Sequence, residues 1–461
     1  MKKRVIAIVI ALLVAGSSVI FWELLSKHNV QVGNASELEK DEAKNEGGDA
    51  SNEVEQVSVK NMNLQKEIKK QQAVLEREGL DLEKRTSNYV ITDNDLPVCR
   101  ISKGDNGLKV YIGNGYETNS SIHKLISGIT DIEPYVFDEN LQKLARFNMD
   151  ELRYDNVMFT SHDDTIFSIE FRSDEITESE LTMDQVTEKG TTEIPVLTYH
   201  NFDTDPENLT GLTMHPETFE AQMNLLKENG FTTLTSGEVL KIYNQEMKMP
   251  EKPVMITMDD GYESNYKYAY PVLEELDMKA TVFVMTDPII DREEHPSRYP
   301  KLTWEQMQEM AWSNQVSVQT HTHDQHHRHE KFDDGGQILG PIKKDGELET
   351  QKEYERRVKE DLIQSKSVLE EHLLMPVRTL AYPFGDYNQT TEEIAEQVGI
   401  EMTLSTDFGA NDIVKDPEPF LLKRVNVSGL RSYGNPGEVL KKIDRVLGME
   451  AKTPETTISH N

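Results

Sequence analysis

A chain of 461 residues exceeds one comfortable hydrophobic core, so more than one folded unit is expected. Its formal net charge of −33 excludes nucleic acid as a partner and argues against adsorption on anionic lipid, because both need basic patches. The single cysteine, Cys99, excludes an intramolecular disulfide and a Cys-based zinc site, so any metal must be held by imidazole and carboxylate.

Lys2, Lys3 and Arg4 precede an uncharged apolar run from Val5 to Trp22. Such a run is just long enough to cross a bilayer, and its basic flank predicts a cytoplasmic start. Residues 1–27 therefore read as a transmembrane signal-anchor, single-pass in the cell membrane, with the remainder outside. A signal peptide cleaved near Ala15-Gly16-Ser17, giving a secreted protein, is the rival, and both readings export the chain. Residues 28–87 read as an acidic linker followed by a stalk helix over Asn61 to Arg85, where helix formers carry only a thin apolar stripe.

Residues 88–185 predict a small α+β domain with no function of its own legible. Its strand-like runs start at Tyr89, Leu108, Asn156 and Ile166, with a helix over Ser120 to Ile129. The tetrad Ser161-His162-Asp163-Asp164 joins two of these runs and reads as a hairpin turn rather than a site. Cys99 lies in the apolar stretch Leu96 to Ile101 and reads as a small buried hydrophobe.

From Ile194 apolar strands alternate with amphipathic helices as far as Leu447, and residues 448–461 form a flexible tail. Repeated βα units predict an α/β fold, a parallel sheet with helices outside, closed as a barrel or left open. In such folds chemistry gathers at the carboxyl ends of the strands. Three polar clusters stand there. Asp259-Asp260-Gly261 follows Val254 to Met258, and adjacent carboxylates can divide the work of binding a cation and acting as a base. His321-Thr322-His323-Asp324-Gln325-His326-His327 follows Val316 to Thr320, placing His321 at a strand end and His326 on the loop folding back over it. Tyr382-Pro383-Phe384-Gly385 follows the third strand, where aromatics and a constrained backbone suit a sugar-binding wall.

Together these clusters resemble the polysaccharide deacetylase domain, the NodB-homology fold of carbohydrate esterase family four. Thr257-Met258-Asp259-Asp260-Gly261 is similar to its Thr-Phe-Asp-Asp-Gly motif, and His321 to His326 to its longer-spaced two-histidine motif. Leu380 to Gly385 resembles its Arg-Pro-Pro-Tyr-Gly motif, and Pro195 to His200 matches the branch that includes poly-N-acetylglucosamine deacetylases. The resemblance implies a distorted (β/α) barrel over residues 194–447. It implies removal of N-acetyl groups from a cell-surface or matrix glycan, such as poly-N-acetylglucosamine, peptidoglycan or a chitin-like polymer. It implies Asp260, His321 and His326 as ligands of a divalent metal, with zinc expected, Asp259 as general base, and the Phe384 backbone N–H as oxyanion donor. Two departures stand out. Ala381 replaces the motif's arginine, leaving the base without its usual partner, and the late histidine that supplies the general acid has no counterpart, since only His460 follows His372. His200 is the candidate for a substituted acid or a substrate contact, and Arg424 for a residue lining the site. An O-acetyl polysaccharide esterase and a glycan-binding module that has lost turnover are the alternative functions.

Overall fold

The computed structural model describes residues 64–449 except 86–87, 105–106, 114–115, 117–118, 131–140, 142–150, 155–156, 163–165, 173–180, 189, 291–297, 330–334 and 345. The expected signal-anchor and acidic linker, and the expected tail beyond residue 449, lie outside these residues. Among the described residues no helix is long and apolar enough to cross a membrane.

The helix Leu64–Arg77 begins the described fold, and β1 (Leu80–Arg85) follows it. This corrects the reading of a continuous stalk helix over Asn61 to Arg85. Leu80 and Leu82 alternate with polar neighbours, the period of a half-covered strand, and Gly79 at φ +79° breaks the helix before them. Nor does the helix stand free, since Leu75 is buried in the core of the sheet.

That sheet adds β2 (Asn88–Asp93), β3 (Leu96–Gly104), β4 (Gly107–Gly113), β5 (Glu151–Tyr154), β6 (Val157–His162) and β7 (Ile166–Arg172). The order is β1-β2-β3-β4-β7-β6-β5, antiparallel throughout. Leu75 and the buried residues of the helix Ser120–Thr130, Ile122, Leu125 and Ile126, pack into one core with the sheet's Ile91, Ile101, Val110 and Ile169. Cys99 is fully buried there, and burial pushes its thiol up to about 12. Other sheet residues meet the second half of the chain. Arg100 is buried with its guanidinium 4.1 Å from the Tyr111 ring and 5.9 Å from that of Trp312, and it bonds Asn88 and the Leu374 carbonyl. The Asn88 amide donates to the Trp312 carbonyl at 3.0 Å.

The second half is built on β8 (Glu193–Tyr199), β9 (Asn201–Phe202), β10 (Thr213–Met214), β11 (Thr232–Leu234), β12 (Pro253–Met258), β13 (Ala280–Val284) and β14 (Val316–Thr320). It continues with the hairpin β15 (Lys343–Lys344) and β16 (Glu347–Leu348), then β17 (Thr379–Ala381), β18 (Met402–Leu404), β19 (Ala410–Asp412) and β20 (Val425–Asn426). Strands β18-β17-β14-β13-β12-β8 run parallel; β11 joins β12, and β20 joins the other side of the sheet at β8. Leu404 meets Leu422 in a single parallel bridge, so the sheet curls into a distorted barrel. Every residue of β12 and β13 is buried, as a sheet covered on both faces requires. Helices pack outside, several started by reciprocal capping boxes such as Thr303 with Gln306 and Thr350 with Glu353.

Candidate active site

The carboxyl ends of β8, β12, β14 and β17 converge on one cavity of about 480 Å³. Asp259 and Asp260 follow β12 directly, His321 follows β14, and His326 returns from the loop beyond it. His200 caps β8, Phe384 follows β17, and Arg424 arrives just before β20. All seven line the cavity, joined by Leu212, Arg328, Asp386, Thr406 and Asn426 among others.

Asp260, His321 and His326 form a cluster whose candidate ligand atoms all lie within 4.8 Å of one another. Asp260 Oδ1 is 3.5 Å from His321 Nε2 and 3.3 Å from His326 Nε2, and it is buried with no hydrogen-bond partner among the described residues. His321 Nδ1 lies 2.6 Å from the Ala381 carbonyl, an arrangement that needs the proton on Nδ1 and turns the Nε2 lone pair toward Asp260. One oxygen and two imidazoles facing each other without shared protons is a donor set that fits a divalent cation. Ala381, in the place of the motif's arginine, thus orients a histidine through its backbone.

Asp259 is handled differently. Its Oδ1 accepts from Arg424 Nη1 at 2.8 Å, with both side chains almost wholly buried, and Arg424 Nε is fixed by the Ser405 carbonyl at 2.6 Å. Burial pushes the Asp259 carboxyl up, but the charge of Arg424, with His321 and His200, outweighs it and holds the group below its usual range. The partner that the sequence left missing therefore comes from the strand on the far side of β8. Asp259 Oδ2 faces His200 Nε2 at 3.8 Å. The His200 ring is pushed toward its neutral form by burial, against the pull of Asp259 and Asp260, and Nδ1 has no hydrogen-bond partner among the described residues.

The wall motif divides. Phe384 lies against the His326 ring at 4.3 Å and carries the Arg328 guanidinium 3.9 Å above its own face. Tyr382 is fully buried with Ile338 and Tyr354, and neither it nor Pro383 reaches the cavity. Backbone strain marks the same strand ends: Asp260, Thr322 and Phe384 have φ of 71°, 75° and 61°. Residues other than glycine take that region only where their surroundings enforce it. Around Asp260 the enforcing neighbours include Lys301, whose ammonium donates to the Asp260 carbonyl at 2.9 Å. No sequence pattern pointed to Lys301.

A family model described as polysaccharide deacetylase matches residues 246–403. The chain is 33% identical over 235 residues to YxkH of Bacillus subtilis strain 168, named as a polysaccharide deacetylase, covering 51% of this chain and 71% of that protein. It is 24% identical over 227 residues to the poly-β-1,6-N-acetyl-D-glucosamine N-deacetylase of Staphylococcus aureus strain MRSA252, covering 49% and 72%. Among solved structures, a de-N-acetylase of Aggregatibacter actinomycetemcomitans matches at 21% identity and a TM-score of 0.47, covering 53% of this chain and 99% of that one.

Proposed function

The chain belongs to the polysaccharide deacetylase family, a metal-dependent hydrolase of acetylated polysaccharides, and from that premise we propose that it removes N-acetyl groups from a polymer of N-acetylglucosamine outside the cell. The S. aureus relative acts, by its name, on poly-β-1,6-N-acetyl-D-glucosamine. The observation that carries the reading is the pairing, in one cavity, of a cation-ready cluster with a neighbouring carboxylate held ionised by a buried arginine.

Asp260, His321 and His326 hold the metal, with zinc the ion suited to two imidazoles and a carboxylate. Bound there, a divalent ion would supply Lewis acidity toward the acetyl carbonyl and toward water. Asp259 is the general base. Arg424 ties up its Oδ1, leaving Oδ2 to take the proton of the attacking water. His200, neutral and facing that oxygen, receives the proton from Asp259 and passes it to the departing amine as the C–N bond breaks and acetate leaves. The Phe384 N–H meets the developing oxyanion, and its ring walls the sugar. An N-terminal membrane helix in residues 1–27 holds the catalytic barrel, residues 194–447, on the outer face of a bacterial membrane.

Acetate release from poly-N-acetylglucosamine, peptidoglycan, chitin oligomers and acetylated xylan, with and without chelator, tests this. Turnover on one of the first three, abolished by chelator, is expected. Asp259→Asn should keep zinc while losing on the order of 10²–10⁴ in rate. Faster release from xylan, or turnover indifferent to chelator, sinks the reading.

A further inference from the structure

The helix Gln351–Leu373 interrupts its own apolar stripe with charged residues: Lys366 and Glu370 pair with each other at 2.7 Å, and Asp361 stands apart from them. Tyr354, Val358, Leu362, Ser365 and Leu369 are buried on its inner side, and Asp361 is buried among them at 6% exposure. A carboxylate in such a place is tolerated only if hydrogen bonds replace its water. Its partners all belong to one loop. Oδ1 accepts from the His323 backbone N–H at 2.9 Å, and Oδ2 from the Asp324 N–H at 2.7 Å and the Gln325 side-chain amide at 3.2 Å.

Four residues earlier, hence on the same helix face, Arg357 donates to Gln325 Oε1 and to both oxygens of Glu349. It also reaches the carbonyls of Gln337 and Gly340, in the polar insertion that leads to the hairpin. Asp361 and Arg357 therefore both grip the loop that runs between His321 and His326. That loop is strained. Thr322 is β-branched, wholly buried and held at φ +75°. Such a conformation persists only where the surroundings impose it. His321 has its own anchor on Ala381, whereas among the described residues no hydrogen bond fixes the position of the His326 ring beyond its approach to Asp260.

We infer that Asp361 is a positioning residue for the metal centre. By clamping the N–H groups of His323 and Asp324 it holds Thr322 in its strained form, and so keeps His326 Nε2 facing Asp260. It touches neither substrate nor the ligand atoms. The inference rests on Asp260, His321 and His326 being the ligands.

The test uses the full chain, stripped of metal and titrated with zinc against a competing chelator. Asp361→Asn preserves shape and one acceptor but turns an amide N–H toward a backbone N–H. Its zinc affinity is expected to fall about 10–100-fold. Adding Thr322→Asn should recover part of that loss, because Asn enters the left-handed region more readily and retains an acceptor for the Gln325 N–H. Wild-type affinity in Asp361→Asn overturns the inference while leaving the ligand assignment intact. A loss that Thr322→Asn does not relieve, matched by an equal loss of metal-free stability, overturns it in favour of general packing. Absence of zinc binding by the wild-type chain sinks the ligand assignment and the inference together.

Discussion

Replacing Arg424 with Met cuts the contact that keeps Asp259 ionised while preserving most of the aliphatic stem. The guanidinium and carboxylate lie 2.8 Å apart, with side chains 1% and 4% exposed, so water cannot stand in for either. At an effective dielectric of about 20 their direct attraction is on the order of 6 kcal/mol, much of it offset by the cost of burying both charges. Removing one partner leaves the other buried and unpaired, which costs about 3–5 kcal/mol. The Ser405 carbonyl loses its donor as well. Urea unfolding of metal-free chains measures the loss without interference from metal binding, and Trp312, buried in the barrel, reports it by fluorescence. A double-mutant cycle with Asp259→Asn isolates the pair, since the double variant buries no unmatched charge. The coupling should be about 1.5–3 kcal/mol. If Arg424→Met stays within about 1 kcal/mol of wild type, or the coupling vanishes, Arg424 does not hold the base.

Alanine at His321 or His326 should lower the zinc-to-protein ratio. His327, exposed and paired with Asp324, should be dispensable; equal losses at His323, His327 and His329 would restore the reading of a loose histidine tract. Acid should weaken the joint between sheet and barrel through His162, whose Nδ1 accepts from Arg378 at 2.9 Å and whose pKa falls to about 3, first through burial and then through the charges of Arg378, Lys109 and Lys366. Because the folded value lies below the ordinary 6.5, stability is full above that pH and is lost as pH falls toward the folded value, so His162→Gln should lose less than wild type on titration to about pH 4. Gly429→Ala would bring a Cβ to 1.9 Å from the Thr213 carbonyl, and urea unfolding should show a loss of about 1–3 kcal/mol with zinc affinity unchanged.

Most of the site could be read from the sequence because its residues follow buried strands, and apolar runs announce where such strands end. Asp259, Asp260, His321 and His326 each sit one to six residues past an apolar run. The bond from Arg424 to Asp259 could not be read, since it joins residues 165 apart and depends on β20 pairing with β8. Tyr382 looked like a wall residue because residues after a strand usually face the cavity; here its ring turns inward beneath the inserted segment at Ile338. Strand β1 was hidden by its composition, as Asp81, Glu83, Lys84 and Arg85 are at home in either element and the alternation spans only six residues. Asp361 did leave a trace, an acid on the buried face of an amphipathic helix that also buries the Lys366–Glu370 pair.

The seven-stranded sheet grips the barrel at Trp312, Leu374 and Arg378, each of which precedes a barrel strand, whereas Asp259, Asp260, His321 and His326 all follow strands. Load carried through the sheet thus enters the barrel at the end opposite its working mouth. A surface attachment made upstream of Leu64 would leave that mouth unobstructed, so that an immobilised preparation should process a long polymer as fast as the free protein does.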